Sequence, residues 1–192
     1  MPQSLSKLYV YLIFSTQHRE PLLRPSVRGS LHAYFATGLK NQDCPALKIG
    51  GTSDHAHRLF HLSKNLALAD VVEKVKTSSS RWLKTQARTL HSFHWQNGYG
   101  GFSVSPAEVD AVAAYIEGQE EHHRVVSFQD EYGRFLKEYE VEYDVRYVWD
   151  SWTRPFRARG MQPQHGRGPG SAGQWPWSTP YRVGTIGGTS FP

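Results

Sequence analysis

The sequence predicts an α+β fold: a split βαβ sheet of the ferredoxin-like or RRM-like kind with helices on one face, then a further C-terminal helix and a disordered tail. Three observations carry that expectation. Apolar periodicity changes along the chain in the order β-α-β-β-α-β. The clearest helix-start signal, Ser105-Pro106-Ala107-Glu108, comes after the last of those elements. The final 42 residues then hold 8 of the 17 glycines and 6 of the 11 prolines, a composition that packs no core.

Leu8 to Ser15 (LYVYLIFS) is a β-branched and aromatic run of strand length, closed by the polar stretch Thr16 to Glu20. After Pro25, Ser26 stands where a helix cap belongs, and Val27, Leu31, Tyr34, Phe35 and Leu39 recur on one helical face, with Gly38 near the end. Ala46 to Gly50 and His55 to Leu62 read as short strands joined through Gly51, Thr52, Ser53 and Asp54. From about Leu68 a second helix sets Leu68, Val71, Val72, Val75, Trp82 and Leu83 on one stripe. Lys74, Lys76, Arg81, Lys84 and Arg88 fall off that stripe and form a basic rim. Trp95 to Val104 (WQNGYGGFSV) is punctuated by glycine, which suits a bent strand or two short ones. The capping box, with proline at the first helical position, predicts a helix from Pro106 to about His123. A second cap at Ser127 predicts an acidic helix to about Tyr139, read as a solvated or dimer-facing surface.

The net charge of +5 on 192 residues suggests a basic body, but the charge is not spread evenly. Ser151 to Pro192 has five arginines and no acid, so residues 1–150 are neutral. Within them Met1 to Val104 carries 13 basic and 5 acidic residues, whereas Ser105 to Asp150 carries 4 and 12. The domain is therefore assigned to residues 1–150 and a Gly/Pro/Arg-rich flexible tail to 151–192. The longest apolar run, Leu8 to Phe14, falls far short of the ~20 residues that span a bilayer, and no basic-then-apolar leader opens the chain. A cytoplasmic protein with no membrane partner is expected. Cys44 is the single cysteine, which excludes a disulfide framework and a zinc site built mainly on thiolates.

Any metal site must then use histidines and oxygen ligands. His55 and His57, two apart on a strand, project to one face and suit a divalent ion with open positions. Ten histidines in 192 residues give about half such a pair by chance, so the pair needs company. Tyr115 and Gln119 are four apart on the capped helix, beside the Val109, Ala113 and Ile116 stripe that faces the protein. A phenol, with a pKa of ~10, is a poor nucleophile at neutral pH, but metal polarisation of a phosphodiester makes its attack feasible. His122 and His123 read as partners of the helix C-terminal dipole. Trp95, Tyr99 and Phe102 read as core first and base-stacking groups second.

Five segments taken in order, Asp54-His55-Ala56-His57, Val71 to Leu83 (VVEKVKTSSSRWL), Trp95 to Ser105 (WQNGYGGFSVS), Tyr115 to His123 (YIEGQEEHH) and Tyr143 to Asp150 (YDVRYVWD), carry a resemblance. Together they resemble the single-tyrosine HUH transposases of the smallest bacterial insertion sequences, related to the REP-associated tyrosine transposases. The resemblance implies that Tyr115 is the nucleophile, that His55, His57 and Gln119 are metal ligands, and that the ion is Mg²⁺ or Mn²⁺. It implies cutting and rejoining of single-stranded DNA at hairpin-bearing ends through a 5′-phosphotyrosine link. It also implies a homodimer whose active sites can be shared between subunits, and makes Lys74, Lys76, Arg81, Lys84 and Arg88 a phosphate track. The alternative reading is a catalytically silent hairpin-binding regulator or domesticated descendant; a third is a metal-dependent nuclease. Three residues depart from the family pattern. Ala56 is small where a bulky aliphatic is usual, and Arg58 lies on the strand face opposite the histidines where an apolar residue is usual. Gly118 sits inside the helix between Tyr115 and Gln119, at a cost of ~1 kcal/mol against Ala.

Overall fold

A computed structural model of the chain describes residues 5–144 and residue 148. The domain boundary at Asp150, the tail of residues 151–192 and most of the 145–150 end of the last resemblance segment lie outside the described residues. Strands β1 (Leu8–Ser15), β2 (Ala46–Gly51), β3 (His55–Leu62) and β4 (Gly100–Val104) form one sheet in the order β2-β3-β1-β4. Every neighbouring pair is antiparallel. Helices α1 (Pro25–Lys40) and α2 (Leu68–Gln86) make the two crossovers of the expected split βαβ unit. Trp95 forms only an isolated bridge with Thr16, so the 95–104 segment is a bridge followed by a short strand.

The continuous apolar run of β1 reflects burial on both faces, since six successive residues from Val10 to Ser15 are buried. On one face Val10, Leu12, Phe14, Ala56 and Phe60 meet Leu31, Phe35 and Leu39 of α1 and Val71, Val72, Val75 and Leu83 of α2. A Tyr34–Trp82 stack, ring centroids 5.0 Å apart, joins the two helices. Pro25 occupies the first turn of α1 with Arg24 before it, so the helix starts without the cap expected at Ser26. Arg58 enters this same face. It is fully buried, its guanidinium carbon 3.9 Å from the Phe14 ring centroid and 3.6 Å from that of Phe35, and none of its nitrogens has a hydrogen-bond partner. The layer behind the histidines is thus filled by a cation between two aromatic rings.

The opposite face is closed by the C-terminal helices α3 (Val109–Glu117), α4 (Gln119–His122) and α5 (Phe128–Glu138). The single helix expected over 106–123 is interrupted. Residues 106–108 are a turn, where Ser105 N–H donates to Glu108 Oε2 at 3.3 Å, the reciprocal half of the capping box. Gly118, with φ −81° and ψ 6°, then separates α3 from α4. Ser127 caps α5 as expected, its Oγ accepting from Asp130 N–H at 3.1 Å. The acidic helix is more than a solvated surface: Phe128, Glu131, Tyr132, Phe135 and Leu136 are buried, and Phe135 packs 5.4 Å from both Tyr11 and Phe102. Among the described residues no helix is long and apolar enough to cross a membrane.

The position of α3 depends on Gly50. A Cβ there would lie 2.5 Å from the Ile116 carbonyl oxygen and 2.7 Å from Ile116 Cγ2, so strand and helix touch only because Gly50 has no side chain. Gly50→Ala is expected to cost about 1–3 kcal/mol and to displace the Tyr115 segment. A chemical melt checks the first effect and the cutting assay below the second; an unchanged midpoint would show that the helix yields freely.

Candidate active site

Alternation along β3 sends His55 and His57 to the face covered by α3–α5, opposite Ser15 and Ile13 of β1. Both rings are buried, with centroids 4.8 Å apart. His57 Nδ1 lies 2.6 Å from Tyr11 Oη. His55 Nδ1 lies 2.7 Å from Asp54 Oδ1 and 2.9 Å from Thr52 Oγ1. Burial works to raise the Asp54 pKa, but hydrogen bonds with His55 and Thr52 and the Arg19 charge bring it down to about 2. Burial lowers His55, and it lowers His57 further with help from the neighbouring His55, His123 and Arg58. Both imidazoles are therefore held neutral, the form that binds metal.

The structure brings Tyr115 and Gln119 to this pair within one chain. Tyr115 is partly exposed, its ring 6.5 Å from that of His57, and its hydroxyl donates to a Glu131 carboxylate oxygen. Gln119 is buried at the start of α4 and donates from Nε2 to Glu131 Oε1 at 3.1 Å. Two members of the cluster were not expected from sequence. Glu131 has no exposed surface, and burial pushes its carboxyl up to about 8. His123 stacks its ring edge against His55 at 4.5 Å instead of facing solvent at a helix end, and burial, then His55, lowers it to about 4.

Each of the two missed residues had a legible signal. Tyr115, Gln119 and His123 stand four apart in succession, the spacing of one helical face. Glu131 interrupts the α5 stripe Phe128, Tyr132, Phe135 and Leu136, and a carboxylate at a core position needs a partner.

One donor atom each from His55, His57, His123 and Glu131 lies within 4.8 Å of the others. His57 Nε2, Gln119 Oε1 and Glu131 Oε2 have no hydrogen-bond partner that satisfies both distance and angle, although His123 Nε2 is 3.1 Å from that last oxygen. Imidazole, amide oxygen and carboxylate converging with unused lone pairs make a donor set that fits a divalent ion.

The basic rim, on α2 and the turn after it that holds Arg88, lies across the sheet from this cluster. Lys74, Arg81 and Arg88 are exposed and Lys84 is half-buried. Lys76 Nζ donates to the carbonyl oxygens of Gln96, Asn97 and Gly98 at 2.7, 3.3 and 2.6 Å, so it anchors the segment before β4. Lys76, Arg81, Lys84, Trp95 and Tyr99 line a groove there. Trp95 and Phe102 are core residues, and only Tyr99 of the three aromatics is exposed.

Comparison with known proteins adds the family. The family described as Transposase IS200 like matches residues 4–119. Among solved structures, a candidate transposase from Deinococcus radiodurans R1 is 20% identical, with a TM-score of 0.49, covering 62% of this chain and 98% of that one. A REP-associated tyrosine transposase solved bound to a REP hairpin is 12% identical, with a TM-score of 0.50, covering 84% of this chain and 98% of that one. The second likeness supports the sheet-and-helix fold. No curated protein matches the chain.

Proposed function

Because the chain belongs to the IS200-like transposase family, we propose that it cuts and rejoins single-stranded DNA at hairpin-bearing ends, with Tyr115 as nucleophile and Mg²⁺ or Mn²⁺ held by His55, His57 and Gln119. The observation that carries this reading is the meeting of Tyr115, Gln119 and the histidine pair in one cluster of a single chain. Bound there, a divalent ion supplies a Lewis acid that polarises the scissile phosphate. The Tyr115 oxygen attacks phosphorus, a P–O bond to the phenol forms, and the bond from phosphorus to the 3′ oxygen breaks. The phenol proton passes to the ionised form of Glu131, whose oxygen accepts its hydrogen bond and whose pKa of about 8 makes it a base matched to near-neutral pH, and the leaving oxygen is protonated to a 3′-OH. Reversal by another 3′-OH rejoins the ends, so the bond energy is conserved without a nucleotide cofactor.

His57, Gln119 and Glu131 are closed off by α3–α5, so a scissile phosphate reaches them only when those helices shift. Lys74, Lys76, Arg81, Lys84 and Arg88 are proposed to follow the hairpin phosphates, with Lys76 acting through the loop it anchors. Homodimerisation belongs to the same reading, and since the cluster forms within one chain, each copy can carry its own site. The proposed setting is the cytoplasm.

The test incubates the protein with hairpin-bearing single-stranded DNA and Mg²⁺ or Mn²⁺, then separates products on a denaturing gel. A covalent protein–DNA adduct is expected, and it should vanish in a His55→Ala, His57→Ala protein. Binding with no adduct would identify a silent hairpin-binding module, and cleavage with no adduct a nuclease.

A further inference from the structure

We propose that His123 and Glu131 are ligands of the divalent ion in the DNA-free protein, joining His55 and His57; the proposal rests on the metal-dependent reading above and extends its ligand set. His55 Nδ1 faces the Asp54 carboxylate at 2.7 Å, which can only accept, so Nδ1 carries the proton and Nε2 is a lone pair. His123 Nδ1 faces the Val126 carbonyl oxygen at 2.9 Å, with the same consequence for its Nε2. These two lone pairs point at each other across 2.9 Å, and Glu131 Oε2 lies 3.1 Å from the second.

Three such groups that close need a proton or a cation between them; the Glu131 carboxyl, which burial pushes up to about 8, can supply one proton, and a divalent ion would take its place and engage all three. The surroundings match those of metal-bound imidazoles, which give their other N–H to a carboxylate or a backbone carbonyl, as His55 and His123 do here. The distances nearly close. Donors ~2.1 Å from one ion stand at most ~4.2 Å apart, and the four donor atoms lie within 4.8 Å of one another, so the widest pair would draw in by about half an ångström on binding. Glu131 supplies what the rings lack: a buried carboxyl that would become the site's negative oxygen when an ion displaces its proton, placed by the Phe128, Tyr132 and Phe135 packing of α5. Its second oxygen accepts from Tyr115 and Gln119, so one carboxylate would tie nucleophile, amide and ion together. A proton on His123 would satisfy the same distances as an ion pair with no metal, and the two cases are separable.

Full-length protein without DNA is titrated with Mn²⁺, following free ion by electron paramagnetic resonance and counting coupled imidazole nitrogens by the pulsed method. Wild type is expected to show three coupled histidines, and His123→Gln two. Glu131→Gln is expected to bind Mn²⁺ at least about tenfold more weakly while its metal-free melting temperature holds or rises, the opposite of what loss of a purely structural residue would do. Wild-type affinity in both variants, or two coupled histidines in wild type, overturns the proposal. The coupling count is made on wild type, so it decides even if a variant fails to fold. Should wild type bind no Mn²⁺, or the His55→Ala, His57→Ala protein bind it equally well, the metal reading itself falls and this proposal with it.

Discussion

Tyr115→Phe protein is expected to bind hairpin-bearing single-stranded DNA as wild type does and to form no covalent adduct with it. The substitution removes one oxygen. That oxygen is the proposed nucleophile, and it lies at the partly exposed side of the cluster, whereas His57, Gln119 and Glu131 are buried. The fold should tolerate the change: Glu131 Oε1 keeps its hydrogen bond from Gln119 at 3.1 Å, and the ring keeps its contacts with His57, His122 and Phe135. Stability is therefore expected to move by no more than about 1 kcal/mol, whereas adduct formation should fall on the order of 10³-fold or more. Comparing melting temperature, Mn²⁺ binding and adduct yield in one preparation separates loss of chemistry from loss of fold. An adduct of undiminished yield in the Phe protein would assign the nucleophile elsewhere.

Arg58→Met should make the protein more stable, by about 1–4 kcal/mol, as replacement of buried charge by an apolar side chain of similar length often does. Burial pulls the Arg58 pKa well down, yet a guanidinium stays protonated in proteins, so the charge is carried into the core. The Phe14 and Phe35 faces offer attraction to the cation, worth up to about 2 kcal/mol when desolvated, but no acceptor for its N–H groups. Methionine fills the same slot without donors. Arg58→Ala should instead cost about 2–5 kcal/mol, because it leaves a cavity between the rings. A denaturant melt of both variants decides the matter, and a less stable Met protein would show that the aromatic sandwich outweighs the burial cost.

The same substitution has a second readout at His32. Burial, then the Arg58 and Arg28 charges, lower that ring to about 4. Because the folded value lies below the unfolded one, the unfolded chain takes up the proton first. The stability that neutral His32 gives is complete above ~6.5 and is lost as pH falls towards about 4. Arg58→Met should move the His32 titration upward and shallow that acid loss, which a proton resonance titration of the ring would show.

The elements themselves were legible because their signals are local. A strand run at 8–15, a helical stripe from Leu68 and the cap at Ser127 each depend on neighbours within a few positions, and each element formed nearly where its pattern placed it. The break at Gly118 was legible as a cost but not as an interruption, because the helical stripe runs through it; in the structure Gly118 leaves helical geometry and Gln119 is buried at the start of α4. Lys76 looked like one basic residue among five. Its three carbonyl partners come from residues 96–98, some twenty positions away, so no local pattern announces them.

By itself the sequence determined the strand and helix order, the pairing of His55 with His57 on one face, and the four-residue step from Tyr115 to Gln119, all consequences of backbone periods that short segments impose. Only the tertiary structure decided that α5 covers the second face of the sheet, that His123 and Glu131 join the histidine pair, and that Arg58 lies between two rings. Those outcomes depend on which surfaces meet across long stretches of chain. A buried carboxylate or guanidinium reads in sequence as an ordinary solvated charge until the element opposite it removes the water.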